Sequence, residues 1–167
     1  MTQVKISEAP ITSKVGEKII SLFRAIVGAE HVIVDEEQRN EYGHDKTEDY
    51  QFLPDLVLKP GIPQEISEIL KICNEYKIPA TPRGAGTGLS GGALPVKKGV
   101  VISMERFNKI LNIDELNLQA TVEPGVITEV FQNAVKEKGL FYPPDPASKG
   151  ACFLGGNLAN NSGGPKA

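Results

Sequence analysis

The residues with the clearest chemical meaning in this sequence are glycines. Ten of its seventeen fall in two short windows, Gly84, Gly86, Gly88, Gly91 and Gly92, then Gly150, Gly155, Gly156, Gly163 and Gly164. A glycine inside ordered structure costs roughly 0.5–1 kcal/mol against alanine, so such clustering implies positive φ angles or a backbone lying against a ligand. Successive N–H groups in turns of this kind form an anion-binding concavity suited to a pyrophosphate. Arg83 stands directly before the first window, where a guanidinium could face a phosphate or carboxylate, or simply cap a strand end.

Two familiar phosphate motifs are excluded. Gly86, Gly88 and Gly91 satisfy GxGxxG, but a dinucleotide fingerprint also needs a helix opening there, and Gly92, Ala93 and Pro95 argue against one. A P-loop needs Gly-Lys-Ser/Thr, whereas Lys97 and Lys98 lie beyond Pro95. A plain flexible turn would explain one glycine window. It does not explain two, the second carrying an Asn-Asn pair and a nearby PPDP string.

The elements that must hold these windows can be read from periodicity. Ile19, Ile20, Phe23, Ile26 and Val27 predict a helix from about Ser13 to Val27, stopped by Gly28, and His31 to Val34 predicts a short strand. The segment Asp35 to Phe52 is polar and patternless and reads as a surface excursion. Asp55 to Leu58 then predicts a strand, Pro63 opens a helix with Ile66, Ile69, Leu70 and Cys73 on one face, and Ile78 to Thr81 turns extended. That order favours parallel strands, with the ligand loop leaving the second one at Pro82 to Pro95. Val100 to Ser103 and Leu118 to Val122 predict further strands. Thr128 starts a helix with Val130, Phe131, Ala134 and Val135 as its stripe, ending near Gly139. From Leu140 onward periodicity vanishes.

Composition bounds the function. The chain has 167 residues, 40% hydrophobic and 23% charged, which is globular, and its net charge of -3 offers no field for nucleic acid. No apolar run approaches the roughly 20 residues of a membrane span, and MTQVKISEAP lacks a signal-peptide core, so a cytoplasmic chain is expected. Cys73 and Cys152 have no metal spacing and read as packing residues.

The string PRGAGTGLSGGA at Pro82 to Ala93, with YPPDPAS at Tyr142 to Ser148 and GGNLANNSGG at Gly155 to Gly164, resembles the FAD-binding domain of the PCMH-type (vanillyl-alcohol-oxidase) flavoproteins. The likeness is greatest to the glycolate oxidase D-subunit and FAD-linked D-lactate dehydrogenase branch, and it spans roughly residues 30 to 167. It implies an α+β fold in two lobes, residues 1–105 and an incomplete second lobe from 106 to 167, with FAD between them. It further implies that Pro82, Arg83, Gly84, Ala85, Gly86, Thr87, Gly88, Leu89 and Ser90 form the pyrophosphate loop, with Thr87 and Ser90 adding hydroxyls. Pro144, Asp145 and Ser148 would form a second wall, and Gly155, Gly156, Asn157, Ser162 and Gly163 would line the cofactor from the opposite side. Glu123, Pro124 and Gly125 would approach the adenine.

Some relatives carry a flavin-linking histidine where this chain has Thr87, so non-covalent FAD is implied. His44, in YGHDKTEDY, reads as a surface loop residue and not as a general base, and Asp45 and Asp49 as turn formers. The family's substrate-capping region has no counterpart here, so the chain reads as the front part of a longer enzyme that oxidises a small 2-hydroxy acid. Its catalytic base lies outside this sequence. The resemblance also implies an iron-sulfur partner subunit and, through it, a peripheral place at the inner membrane. The other reading is a non-catalytic nucleotide-binding or subunit-interaction module.

Overall fold

The computed structural model describes residues 15–165. Four strands form the main sheet: β1 (Val32–Ile33), β2 (Leu56–Leu58), β3 (Ala80–Arg83) and β4 (Val100–Ser103), in the spatial order β1-β2-β4-β3. The last three are parallel, with Leu56 opposite Val100 and Ala80 opposite Val100 on the other side, and β1 is an antiparallel edge. β2 and β4 are short uninterrupted apolar runs buried on both faces, as strands inside a covered parallel sheet must be. Helix α1 (Glu17–Val27) contributes Ile19, Phe23 and Val27 to the core, and α3 (Pro63–Tyr76) contributes Ile69 and Cys73. Residues 13 and 14 of the expected first helix lie outside the described residues, as does the stretch read for a signal peptide.

The parallel unit expected from β2, α3 and β3 is present, but β4 sits between its two strands. The reason is chemical. β3 contains Pro82, which has no N–H to give a ladder and therefore belongs on an edge, whereas VVIS can bond on both sides.

Other expectations are corrected. The patternless stretch Asp35 to Phe52 contains α2 (Glu36–Asn40), a helix too short to show a period, started by Asp35, whose side chain accepts from Gln38 N at 3.0 Å. Arg39 ties it to β2 by donating to the Pro54 carbonyl at 2.5 Å. A strand not anticipated, β5 (Ile110–Asp114), pairs antiparallel with β6 (Gln119–Val122), and a register shift between Ile110 and Asn112 breaks the alternation that would have revealed it. Leu70 and Val130, expected on apolar faces, are exposed.

A second apolar cluster forms where α4 (Thr128–Lys136) places Phe131 and Val135 against Val126 and Leu154, with Ile110, Ile113 and Val122 of the hairpin beside them. Tyr142 meets Phe131 edge-on, 4.9 Å between ring centroids. Leu154 opens α5 (Leu154–Ala159), a short helix inside the glycine-rich tail that periodicity could not find.

Phe23 is fully buried and Leu116, in the β5–β6 turn, is 95% exposed. Phe23→Ala should therefore lower the unfolding free energy by about 3–5 kcal/mol, whereas Leu116→Ser should change it by less than about 0.5 kcal/mol, both read from urea denaturation followed by circular dichroism.

Candidate functional site

The loop leaving β3 and the helix α5 face each other across a cleft of about 440 Å³. Of the residues singled out in the sequence, Pro82, Arg83, Gly84, Ala85, Gly86, Thr87, Gly88, Ser90, Ser148, Gly155, Gly156, Asn157 and Ser162 line it. Leu89, Pro144, Asp145 and Gly163 do not. Leu89 is 74% exposed, the Pro144 carbonyl accepts from Gln132, Asp145 pairs with Lys149 at 2.8 Å, and the Gly163 carbonyl accepts from Asp145 N. The last three tie the segment around Asp145 to the end of the glycine tail. Pro124 lines the cleft, but Glu123 instead extends the pairing of the β5–β6 hairpin by accepting from Lys109 N.

The loop carries donors and almost no bulk. Among the described residues, no protein acceptor takes a hydrogen bond from the backbone N–H of any residue from Gly84 to Ser90, nor from the Thr87 and Ser90 hydroxyls. A run of unpaired amides is costly unless water or a ligand satisfies it. The run ends at Gly91, whose N–H donates to Thr47 Oγ1 at 2.8 Å.

Arg83 explains how the loop keeps its shape. Its guanidinium is buried and donates to the His44 carbonyl at 2.8 Å and the Glu41 carbonyl at 3.3 Å, with the Tyr42 ring 5.6 Å away. Burial lowers its pKa from the ordinary value, and the negative charge of Asp45 opposes that shift. The head group thus serves the protein's own carbonyls. Gly86 has a φ of 68°, and a Cβ there would fall on Arg83 Nη2, so the loop turns directly over the guanidinium.

The opposite wall is built by close approach. A Cβ on Gly155 would lie 2.5 Å from Pro124 Cβ, which lets α5 dock with Gly155 N donating to the Pro124 carbonyl. Asn157 donates to Thr128 Oγ1 at 2.6 Å, and that hydroxyl lies 3.2 Å from Cys152 Sγ. Asn157 therefore spends its amide on anchoring α5. Gly156 differs from Gly155 in having nothing within 4 Å of a Cβ position.

Sequence reasoning missed Asp45, Met104, Cys152, Phe153 and Asn160 as cleft residues. Asp45 was legible only as a turn former. Asn160 stands in the Asn-Asn pair of the second glycine window, whereas Met104, Cys152 and Phe153 reach the cleft through tertiary packing. His44 is exposed and outside the cleft lining, as its surface reading required.

Residues 54–167 match the family described as FAD binding domain. The chain belongs to that family. The glycolate oxidase subunit GlcD of Bacillus subtilis is 47% identical over 154 residues, 92% of this chain and 32% of that protein. The D-lactate dehydrogenase of Anaerostipes hadrus is 38% identical, over 93% of this chain and 32% of its own. Among solved structures, p-cresol methylhydroxylase with substrate bound superposes with a TM-score of 0.76 at 28% identity, covering 87% of this chain and 29% of that one. The chain thus spans about a third of the relatives it matches, and its fold is the mixed α and β, PCMH-type FAD-binding fold.

The cleft of this FAD binding domain has features that suit a diphosphate: unpaired amides on six of its lining residues, Gly84 to Gly88 and Ser90, two hydroxyls, and at Gly156 a wall with open space before it. Behind the loop, Lys59 and Tyr42 both engage Glu105, at 2.7 and 2.8 Å. Burial pushes the Glu105 carboxyl up, but hydrogen bonds from Lys59 and Tyr42 outweigh it and hold the group below the ordinary range.

Two outcomes follow for this framework. Gly86→Ala forces a side chain into positive φ and onto a buried guanidinium, and should cost about 1–3 kcal/mol in urea denaturation. Because the folded Glu105 pKa is depressed, its contribution is present above the unfolded value and lost as pH falls through the folded one. Glu105→Gln should therefore be less stable than wild type at pH 7, by under about 1 kcal/mol for a partly exposed pair. The gap should begin to narrow near the ordinary glutamate pKa of about 4.3 and close as pH falls through the lower folded value.

Proposed function

We propose that this chain is the FAD-binding part of a flavin-dependent oxidoreductase that acts on a small 2-hydroxy acid. The observation that carries the reading is the run of unpaired amides from Gly84 to Ser90 facing the docked helix α5 across one cleft. Glycolate and D-lactate, named in the relatives above, are both 2-hydroxy acids. When bound, FAD supplies the acceptor for a hydride from the α-carbon of such an acid.

The loop amides hold the diphosphate by charge-assisted hydrogen bonds and the Thr87 and Ser90 hydroxyls add two donors. Thr87 cannot make the covalent link of a histidine, so the cofactor is held non-covalently. Pro144, Asp145 and Gly163 contribute by bracing the walls. No base for the substrate hydroxyl is assigned to these residues. The two apolar clusters, one gathering residues 19 to 102 and the other residues 110 to 154, support a lobe boundary near residue 105. A partner subunit fits the subunit name of the GlcD relatives, and we propose that it is iron-sulfur in kind. No helix among the described residues is long and apolar enough to cross a membrane, so a place at the inner membrane would come through that partner.

Flavin fluorescence titration of the purified chain tests the reading. Wild type should quench FAD fluorescence saturably, with ADP a weaker competitor; ADP binding as tightly as FAD would favour a general nucleotide-binding module. Gly156→Val fills the open side of the cleft and should weaken FAD by roughly ten-fold or more while moving the stability of the free chain by less than about 1 kcal/mol.

A further inference from the structure

The segment from Glu41 to Thr47, which sequence reading left as a surface excursion, grips the glycine loop at three points. Arg83, beneath Gly86, donates to the Glu41 and His44 carbonyls. Lys46 N donates to the Gly88 carbonyl at 3.0 Å. Thr47 Oγ1 accepts from Gly91 N at 2.8 Å. The last two grips are themselves fixed by a turn in which Asp45 Oδ1 accepts from Thr47 N at 2.8 Å. Asp45 is 6% exposed, and its buried Oδ2 has no partner among the described residues, so the turn places a carboxylate behind the loop where it faces the Arg83 charge.

We propose that Thr47 is a positioning residue for the cofactor diphosphate, acting through Gly91 to hold the amides of Gly84 to Ser90 in register for binding. Neither Thr47 nor Gly91 lines the cleft, so the threonine touches no ligand. Its effect is on shape. A chain with glycine at 84, 86, 88, 91 and 92 has many conformations open to it, and only a few set the amides around one anion. Grips at Arg83, Gly88 and Gly91 remove that freedom before the ligand arrives, and a loop ordered in advance binds more tightly because less ordering remains to be done. The bond to Thr47 also commits the Gly91 amide to the protein, which sets where the run of free donors ends. Of the three grips, the one through Thr47 is suited to substitution: the Lys46 contact is backbone alone, and Arg83 is a buried charge whose removal leaves carbonyls unpaired.

This inference rests on the FAD reading above, and the experiment separates the two. Thr47→Val removes the acceptor at nearly constant shape, and Thr47→Ser restores it. FAD affinity of the whole chain is measured by flavin fluorescence at a temperature where each variant is fully folded. Amide exchange at Gly91 and Lys46 is measured by NMR without FAD. Thr47→Val should weaken FAD by roughly 5- to 20-fold, and Thr47→Ser should stay within about two-fold of wild type. In the free chain, Thr47→Val should speed Gly91 exchange by roughly ten-fold while amides of the core strands keep their protection. Wild type binding FAD while Thr47→Val binds equally well overturns this inference and leaves the FAD reading standing. So does a serine variant as weak as the valine one, or unchanged Gly91 exchange. Wild type that binds no FAD overturns the reading and the inference with it.

Discussion

The guanidinium of Arg83 is the contact on which the cleft depends. It leaves the end of an edge strand, is buried, and runs under the loop that begins with the next residue. A buried cation is costly unless compensated. Here two backbone carbonyls, the face of Tyr42 and the nearby Asp45 charge compensate it together. Because those partners all come from residues 41 to 45, satisfying the charge also fixes that segment against the sheet. The glycine loop then has a floor.

The other wall solves a different problem. α5 is a six-residue helix with two glycines in its first turn, far too short and too glycine-rich to be stable alone. Its stability is tertiary: Leu154 N donates to the Val126 carbonyl, Gly155 N to the Pro124 carbonyl, and the Asn157 amide to Thr128. Thr128 is fully buried at the start of α4, so the same hydroxyl that receives Asn157 sits in the second apolar cluster's framework. One wall is held by a charge and its carbonyls, the other by a neutral buried amide and hydroxyl.

This division accounts for what the sequence disclosed. The helices α1, α3 and α4 and the strands β2 and β4 were legible because each buries a face, and burial leaves a period or an apolar run. The glycine windows were legible because their cost demands a ligand or a close approach. Gly155 and Gly156 show the limit of that logic: neighbours of one type, the first docks against Pro124 and the second opens onto the cleft, a difference no pattern carries. Asp45 was read as a turn former, and it is one, yet the turn lies inside the molecule against the loop. β5 and α5 were missed because a bulge and a pair of glycines erase the signals that periodicity uses.

The chemistry of the cleft is that of a holder. Its ionisable lining residues among those described are Asp45, Arg83 and Cys152. Arg83 donates to carbonyls, Cys152 Sγ rests against the Thr128 hydroxyl, and Asp45 caps its own turn with one oxygen while the other is closed off from solvent. Each of the three is engaged or enclosed by the protein's own groups. The loop offers neutral amides and no lysine lines the cleft, so an anion placed there would be held by loop geometry more than by net charge. A cleft lined this way has neutral donors on one wall and an anchored helix on the other, and its shape rests on the two sets of buried contacts that hold those walls.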